Sequence, residues 1–531
     1  MQFSRRQFIG AVGAGALAWP ALSGAAAASA TPQRGGTLVV GANPEPTTLT
    51  SAITSAGPSQ MVSGKIFDGL LTYDLTLTPQ PQLATAWSVS KDGLTLTFKL
   101  RPGVRWHDGK LFTSADVAFS LLKVWRVYHS RGRGTFANVV SVESPDPLTS
   151  IWRLSKPAPY ILSALASAES QVLPAHLYQQ GEVLRNPANN APIGTGPFRF
   201  VSWTRGSNLV LERNPHYWQP EQPYLDRLIF RFLPDPASMA AALETGTIQL
   251  ATAAAPADVV RLRRNPALVV DTRPTGFSST ITSFEFNLDR PALRDPRVRQ
   301  AIAHAIDRDF LVKNVWFGDA VAATSPIPET LPAFFATGLP SYAYDPARAI
   351  ALLDAAGLKP DAKGVRLTLT CDPYPTHAMT TAAQYLRGSL RRIGVQLNVR
   401  VQDAGEFVNR VYTRREFDTV IYGAAAGPDP AIGSQRFYWS KNFQPGIAFS
   451  NGAHYNNPEV DRLLEAAQIE LDPARRRAFY RQFQEIVQRD AVTLPLISAS
   501  PPVVRSRRLN NVIVSADSVY GNFASAWLAK A

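Results

Sequence analysis

The sequence lacks the residues on which disulfides, metal sites and common hydrolytic centres depend. Its 531 residues include one cysteine, Cys371, so an intramolecular disulfide is excluded. The 7 histidines are scattered without the spacing of metal ligands. Neither a G-x-S-x-G nor an H-E-x-x-H motif occurs. We therefore expect no metal, no cofactor and no enzymatic activity.

One weak catalytic pattern is present. Ser120 and Lys123 match the S-x-x-K of serine peptidoglycan enzymes, and "SKN" (440–442) loosely matches S-x-N. No K-T-G follows, and Ser120 falls within an amphipathic helical pattern instead of opening one. A serine hydrolase is therefore the alternative from another functional class, and it is weakly supported.

Long apolar runs are also absent after the first 30 residues. An uncharged run over residues 8–30 follows the arginine pair of "SRRQFIG" and ends in "ASA". Its glycines and Pro20 make it weakly hydrophobic, which favours a twin-arginine signal cleaved near Ala30 over an uncleaved membrane anchor. Because twin-arginine machinery exports folded proteins, we expect the mature protein in the bacterial periplasm. No cysteine lies near the cleavage site, which argues against a lipid-anchored form.

Acidic residues are outnumbered, with 41 Asp and Glu against 54 Lys and Arg and a formal net charge of +13. The basic clusters "RLRR" (261–264), "RRR" (475–477) and "RSRR" (505–508) lie far apart. We interpret them as solvated faces, with contact to an acidic lipid or an anionic ligand as the alternative. Since a periplasmic protein meets no nucleic acid, no such partner is expected.

Helix starts are marked by Asp-Pro pairs. Four of them, beginning at residues 235, 295, 345 and 472, precede helical patterns. An Asp side chain can accept from a first-turn amide, and proline at the first helical position has its φ preset. Thr113 and Asp116 form a capping-box pattern at another start. Gly246 and Gly357 fit the position that follows a helix end.

Strand and helix patterns alternate in the second half of the chain. Strand patterns at 365–371, 395–401 and 417–422 are separated by a helix over about 378–393 and by a short helix. That order predicts an open α/β sheet. The first half mixes strands at 37–42 and 94–101 with hairpin-like segments, which predicts an α+β part with an inserted subdomain. The fold class is therefore mixed α/β.

Five blocks, in order along the chain, carry a family resemblance. They resemble the extracytoplasmic solute-binding proteins of ABC importers, family 5, which include oligopeptide, dipeptide and nickel binders. The blocks are "LATAWSVSKDGLTLTFKLRPGVRWHDGKLFTSADVAFSL" (83–121), "GTGPFRFVSWTRGSNLVLERNPHYW" (194–218), "FNLDRPALRDPRVRQAIAHAIDRDFLV" (286–312), "YDPARAIALLDAAGL" (344–358) and "YNNPEVDRLLEAAQ" (455–468).

The resemblance implies a type II periplasmic binding protein with two lobes that close over a solute in the cleft between them. Lobe I would comprise 31–62, 188–272 and 497–531, with an inserted subdomain at 63–187, and lobe II would comprise 273–496. The chain would cross between lobes near 275–283 and 494–500. The protein would be a monomer that delivers a small solute to ABC permease subunits in the inner membrane.

The loop "GAAAGPDPAIG" (423–433) corresponds to the family's peptide-binding loop. In peptide-binding members a carboxylate there pairs with the ligand's α-ammonium, and the matching position falls near Ala426. Asp429 is the only acid in the loop. It either caps a short helix over 430–433 or serves as a shifted ammonium partner. If it is only a cap, an ordinary dipeptide is disfavoured, because an ammonium buried without a partner is costly.

Other ligand-binding candidates come from segments that the resemblance places at the cleft. They are Asn43 and Glu45 after the first strand, Phe277, Ser278 and Ser279 in the first crossing, Tyr422 and Gly423 before the loop, and Trp439 after it. Trp439 could stack on a ring or side chain of the solute, and Glu45 could serve a cationic group.

A peptide or peptide-like solute is the default expectation. An opine-like conjugate, an oligosaccharide or a metal chelate remains open, because no motif fixes the side chains that line a cleft. His377, near Tyr374 in the sequence, could contribute to a chelate site.

Overall fold

The computed structural model describes residues 31–252, 254–272, 275–277 and 279–530. The predicted export signal and Ser278 lie outside the described residues. From Gln33 onward the chain forms one compact unit. Within the described ranges, no helix is both long enough and apolar enough to cross a membrane.

The first sheet gathers strands from both ends of the chain. Its central strand, Thr37–Ala42, pairs in parallel with Arg227–Phe232 and with Leu250–Ala251. An antiparallel hairpin extends one edge, and the C-terminal strand Val503–Ser506 joins the other. In spatial order the strands are Leu268–Asp271, Val503–Ser506, Leu250–Ala251, Thr37–Ala42, Arg227–Phe232, Asn208–Arg213 and Phe198–Thr204.

The second sheet belongs to the second half of the chain. Its strand Thr280–Phe286 is antiparallel to both neighbours, Thr419–Ala425 and Thr493–Ala499. Leu367–Pro373, Val395–Val399 and Thr419–Ala425 form the predicted parallel β-α-β-α-β series, because helices connect them. In spatial order the strands are Val321–Ala322, Thr493–Ala499, Thr280–Phe286, Thr419–Ala425, Leu367–Pro373 and Val395–Val399.

A third, antiparallel sheet lies in the segment between two strands of the first sheet. Its strands, in spatial order, are Ala84–Val89, Thr95–Leu100, Thr149–Leu154 and Val139–Asp146. Two small strand pairs are Leu71–Tyr73 with Pro79–Pro81, and Leu509–Asn510 with Trp527–Leu528.

Helices cover the sheets and connect the parallel strands. Those of five residues or more are Gly57–Ile66, Ser114–Phe119, Pro236–Glu244, Pro256–Leu262, Pro296–His304, Arg308–Asn314, Pro346–Ala355, His377–Arg391, Ala404–Val408, Pro458–Ile469 and Pro473–Asp490. Four-residue helices are Gly132–Thr135, Ser167–Ser170, Ala175–Tyr178 and Pro291–Arg294. Ser120–Trp125 and Asn409–Arg414 are π-helical turns.

The predicted Asp-Pro helix starts are confirmed. Each predicted Asp cap accepts hydrogen bonds from first-turn amides, as Asp235 does from Ser238 and Asp472 from Ala474 and Arg475. Thr113 and Asp116 form the predicted capping box. These are local interactions between near neighbours in sequence, so the residues alone determine them.

The buried apolar side chains of the described residues form four groups, two mainly in each half of the molecule. The first core joins the first and third sheets, and it includes Trp106, Trp125 and Trp152. Two further cores pack on opposite faces of the second sheet. The chain passes from the first sheet to the second between the strands that end at Asp271 and begin at Thr280, and it returns between Ala499 and Val503.

Candidate functional site

Segments of both halves meet at the loop after Thr419–Ala425. Ile432 of this loop is 6% exposed and packs in the first core. Leu77, between the small strands of the first half, contacts both the first core and the core around Tyr422. Gly276, on the first crossing, lies against Leu77 so closely that a Cβ would approach its Cδ2 to 2.5 Å. The two halves are therefore in contact around this loop.

Asp429 forms a buried, doubly hydrogen-bonded ion pair with Arg476. Both Nη···Oδ distances are 2.7 Å, and the two side chains are 3% and 8% exposed. Burial alone would lower the pKa of Arg476, but the Asp429 charge raises it above the usual value. Asp429 Oδ1 also accepts from the Ala431 amide at 2.9 Å, which is an Asx-type hydrogen bond. Both carboxylate oxygens therefore have partners within the protein.

The loop itself is a hydrogen-bonded turn. The Asp429 carbonyl accepts from the amides of Ile432 and Gly433, and a short 3₁₀ helix, Ser434–Phe437, follows. Residues 430–433 thus form a turn. A short helix over these residues, capped by Asp429, was one of the two possibilities that the sequence left open. A Cβ on Gly433 would lie 1.6 Å from the Ala426 carbonyl oxygen, so only glycine fits this close approach.

Arg436 is a cation without an acidic partner. Its guanidinium lies 4.7 Å from the Phe437 ring centre, and within the described ranges no carboxylate reaches it at salt-bridge distance. Its buried Nε–H has no hydrogen-bond partner there either. Burial and the neighbouring Arg131 charge lower the pKa of Arg436 to about 10. Arg436 is partly buried, and an anion could accept the unused Nε–H bond as well as balance the charge.

A second arginine faces this region from the first half of the chain. Arg131 pairs with Glu169, with Nε–H donating to Oε2 at 2.9 Å, and the two side chains are 14% and 6% exposed. The charges of both residues act on Arg436. Glu169 pairs with Arg131 alone, so the positive charge of Arg436 is not balanced by an ion pair within the described residues.

Glu285 lies beneath the loop, inside the second half. Its Oε2 accepts from the Tyr422 hydroxyl at 2.7 Å, whereas its buried Oε1 has no partner among the described residues. Burial raises the pKa of Glu285 to about 7, although Tyr422 and Arg415 oppose this. Glu285 is therefore a weaker acid than an ordinary glutamate.

A small cavity lies beside Tyr422 and Phe437. It is lined by residues of three strands, including Ser283, Tyr422 and Thr493, and by Phe437 and Tyr438 after the loop. Its volume is about 20 Å³, close to the space of a single water molecule. All the residues that line it belong to the second half of the chain.

The structure brings some of the predicted site residues together. The Ala426 amide donates to the Ser279 carbonyl at 3.1 Å, which ties the loop to the first crossing. The Ser279 hydroxyl is buried without a partner in the described ranges. Gly423 lies opposite Thr282 in the second sheet, one residue from Tyr422. Phe277 packs in the first core, with its ring centre 5.6 Å from that of Tyr73.

Three other predicted residues bind side chains or backbone elsewhere. Asn43 donates to the Pro234 carbonyl at 3.0 Å. Glu45 accepts from the Trp203 indole and from the Gly206 amide, both at 2.9 Å. The Trp439 indole donates to Glu465 at 3.0 Å. Their polar groups are thus occupied within their own halves of the molecule.

The weak hydrolase pattern is not arranged for nucleophilic catalysis. Ser120 is fully buried; its hydroxyl donates to the Asp116 carbonyl at 2.7 Å and accepts from the Leu173 amide at 2.8 Å. Lys123 is exposed. In the part of the chain that the structure describes, no three His, Cys, Asp or Glu side chains could hold a metal ion.

Sequence reasoning missed Arg436, Glu285 and Arg476. The interpretation of "RRR" (475–477) as a solvated face was wrong for Arg476, which is 6% exposed. A signal was available, because Arg476 precedes Tyr480, Phe483 and Val487 on the buried face of Pro473–Asp490. For Arg436 no sequence pattern indicates a cleft position, whereas Glu285 interrupts the apolar pattern of the buried strand Thr280–Phe286.

Comparison with known proteins agrees with this architecture. Residues 78–445 match the family model of bacterial extracellular solute-binding proteins, family 5 Middle. The glutathione-binding protein GsiB of Pectobacterium atrosepticum is 29% identical over 471 residues, which cover 87% of this chain and 88% of that protein.

The fold is also similar to that of two solved structures. The periplasmic binding protein DppA of Helicobacter pylori, in complex with the peptide STSA, is 28% identical with a TM-score of 0.80 and covers 94% of this chain and 99% of its own. NikZ of Campylobacter jejuni, in complex with Ni(L-His), is 27% identical with a TM-score of 0.79 and covers 90% and 95%. The predicted mixed α/β, two-lobed periplasmic-binding-protein fold is therefore confirmed. The chain belongs to the bacterial extracellular solute-binding proteins of family 5, the periplasmic receptors that deliver solutes to ABC permeases.

Proposed function

We propose that this receptor binds a peptide-like solute through a carboxylate, held between the lobes by Arg436. The observation that carries the proposal is the unpaired guanidinium of Arg436 at the contact between the two halves. A carboxylate is the planar, bidentate partner that a guanidinium accepts best. The nearby Arg131 strengthens the preference for an anion.

A free α-ammonium is a less suitable anchor. The only acid of the loop, Asp429, is already paired with Arg476. Glu285 has an unpartnered oxygen, but its raised pKa of about 7 makes it a weak anion at neutral pH. A solute with more carboxylates than ammonium groups suits this set of charges. Glutathione, named in the relative GsiB, has two carboxylates and one ammonium, so it is the first solute to test.

Solute capture requires hinge motion. The cavity between Tyr422 and Phe437 has a volume of only about 20 Å³, and Ile432 bridges the two halves. The two chain crossings at residues 272–279 and 500–502 are the segments about which the lobes would open. A carboxylate that neutralises Arg436 favours the closed state, because its interaction is strongest there.

Native mass spectrometry of the purified protein tests the proposal. We expect a co-purified or added solute with at least one carboxylate, at one copy per chain. Calorimetric titration with glutathione, and with its diethyl ester as the carboxylate-blocked match, then separates charge from shape. Equal affinity for the acid and its ester would refute the role of Arg436 as a carboxylate anchor.

The export route, the assembly state and the domain division are proposed with this function. Residues 1–30 serve as a twin-arginine signal, and the mature protein acts as a monomer. Lobe I comprises 31–62, 188–272 and 497–531, with the inserted subdomain at 63–187, and lobe II comprises 273–496. The three sheets support this division, since their strands fall almost entirely in those segments.

A non-peptide anion is the second candidate. An opine-like conjugate or an anionic metal chelate would satisfy Arg436 equally well, and the likeness to NikZ, solved with Ni(L-His), supports including chelates in the panel. Of the remaining sequence candidates, Tyr422 and Ala426 line the small cavity, Ser279 is hydrogen-bonded to Ala426, and Gly423 adjoins Tyr422. We retain these four as solute contacts. The periplasmic serine hydrolase has no structural support at Ser120.

A further inference from the structure

Two of the basic clusters that lie far apart in the sequence are neighbours in the fold. The cluster at 261–264 precedes the strand Leu268–Asp271, and the cluster at 505–508 overlaps the end of the strand Val503–Ser506. These two strands pair antiparallel at one edge of the first sheet. The first cluster therefore enters its strand at the same end at which the second cluster leaves its own.

Direct hydrogen bonds join the two segments. The Arg507 amide donates to the Ala267 carbonyl, and the Arg507 Nε–H donates to the Pro266 carbonyl, both at 2.8 Å. Arg507 and Pro266 are 241 residues apart in the sequence. Arg264 is only two residues before Pro266, so their Cα atoms are at most about 8 Å apart. The fold therefore makes one basic surface from two separate clusters.

Some arginines of this surface already have carboxylate partners. Arg261 pairs with Glu244 and Asp258, and Arg263 pairs with Asp319. The exposed arginines that form no ion pair with a carboxylate of the described ranges are Arg264, Arg507 and Arg508. We call these three the arginine face. Arg261 and its two carboxylates carry one net negative charge, which offsets only part of the three positive charges of this face.

Backbone carbonyls hold two guanidinium groups of the arginine face in place. Besides the contact of Arg507 with Pro266, the Arg508 Nε–H donates to the Ala529 carbonyl at 2.8 Å. A carbonyl has no net charge, so each guanidinium keeps its full positive charge. Because these side chains are already ordered, they lose less rotamer entropy when they meet an anion.

The arginine face lies outside the cavities of the molecule. None of its residues lines the small cavity beside Tyr422 or a larger one, of about 220 Å³, in the first half of the chain. A small anion is held best by donors that converge on it in a pocket, whereas charges spread over an exposed surface suit a surface of many anions. Since receptors of this family deliver solutes to membrane permeases, the nearest such surface is the lipid bilayer itself.

We propose that the arginine face docks this receptor reversibly on a bilayer that contains anionic phospholipids. The lipid phosphates accept from the guanidinium N–H groups, and each arginine at the headgroups raises the partition constant about fivefold. A docked receptor reaches its permease by diffusion along the membrane. Docking does not involve Arg436, so this proposal and that of a carboxylate anchor can fail separately.

Co-sedimentation of the purified, untagged protein with sucrose-loaded vesicles tests the proposal. We expect binding to vesicles of phosphatidylglycerol and phosphatidylcholine in equal parts at about 0.05 M salt, and about tenfold or more weaker binding at about 0.5 M salt. Vesicles of phosphatidylcholine alone should bind the protein about tenfold or more weakly at the lower salt concentration.

Two matched triple variants locate the binding surface. Changing Arg264, Arg507 and Arg508 together to Gln should weaken binding to the anionic vesicles about tenfold or more. The control changes three exposed arginines of the second half to Gln, namely Arg387, Arg391 and Arg477. It alters the net charge equally and should bind the vesicles as the wild type does.

A second variant covers the case in which the first triple variant fails to fold. Arg264→Glu changes an exposed side chain without a hydrogen bond or ion pair in the described ranges, and it should weaken vesicle binding about fivefold or more. Inorganic phosphate at constant ionic strength should not displace the protein, since displacement would show a discrete phosphate site and overturn the proposal. No binding to the anionic vesicles, equal binding to phosphatidylcholine alone, unchanged binding of the folded variants, or an equal loss in both triple variants would also overturn it.

Discussion

Asp429 and Arg476 lie 47 residues apart in the sequence and form a buried ion pair through two hydrogen bonds of 2.7 Å. The pair joins the loop after Thr419–Ala425 to the helix Pro473–Asp490. It converts the only acid of the family's peptide-binding loop from a group available to a solute into a structural one. In the function that we propose, solute recognition then depends on the charge that remains, Arg436.

Asp429→Asn should destabilise the protein and change solute affinity little. Removing one member of a buried ion pair leaves the other charge uncompensated, at a cost of about 3–5 kcal/mol. Urea unfolding measures this loss. In a double-mutant cycle with Arg476→Gln, the combined loss should be smaller than the sum of the single losses, because each single change already breaks the pair.

One result would contradict a structural role for Asp429. If Asp429→Asn left the free energy of unfolding unchanged but weakened solute binding more than thirtyfold, Asp429 would be a solute contact. Asp309→Asn serves as the matched control, because Asp309 is an exposed helical carboxylate.

Glu285→Gln should stabilise the protein at high pH. The pKa of Glu285 is raised to about 7 in the folded state, above its ordinary value of 4.5. The folded state therefore binds more protons between these values, so stability falls as pH rises through this window. A shift of this size is equivalent to about 3 kcal/mol, lost fully only above pH 7.

Urea unfolding at pH 5 and pH 8 checks this pH dependence. The free energy of unfolding of Glu285→Gln, relative to that of the wild type, should increase from pH 5 to pH 8. For the more exposed control Glu485→Gln, this difference should stay the same. An unchanged difference between variant and wild type at both pH values would show that the carboxylate is not shifted.

Ser120→Ala should affect stability alone. The Ser120 hydroxyl satisfies the buried Leu173 amide, and its loss leaves that donor without a partner. We expect a loss of about 1–3 kcal/mol in the free energy of unfolding and no change in solute affinity. A chromogenic ester or peptidoglycan substrate turned over by the wild type and not by the variant would revive the hydrolase alternative.

Local sequence signals predicted much of the fold. Asp235, Asp295, Asp345 and Asp472 cap helices as expected, because a cap involves residues two or three positions apart. The parallel strands of the second sheet also followed from their alternation with helices. Their bounds were less certain: the strand predicted at 417–422 is Thr419–Ala425.

The site was harder to predict, because its contacts join residues far apart in the sequence. No residue within "GPDPAIG" indicates that Arg476 forms an ion pair with Asp429. The helical spacing of Arg476 with Tyr480 and Phe483 did indicate that Arg476 is buried. Arg436 lies in a short 3₁₀ helix after a turn, where no periodicity shows which way a side chain points. Glu285 lies in a buried strand and breaks its apolar pattern, a signal that was present but unused.

Calorimetric comparison of wild type and Arg436→Gln tests the central claim most directly. The exposed Arg387 of helix His377–Arg391 provides the matched control, Arg387→Gln. Each protein is titrated with a solute identified by native mass spectrometry and with the same solute blocked at its carboxylates. Urea unfolding of the free proteins accompanies the titrations.

We predict that Arg436→Gln weakens binding of the acid at least tenfold, that it barely changes binding of the blocked solute, and that Arg387→Gln changes neither. We also predict that Arg436→Gln does not destabilise the free protein, because it removes a partly buried charge that has no acidic partner within the described residues. Wild-type affinity for the acid in Arg436→Gln would contradict the account.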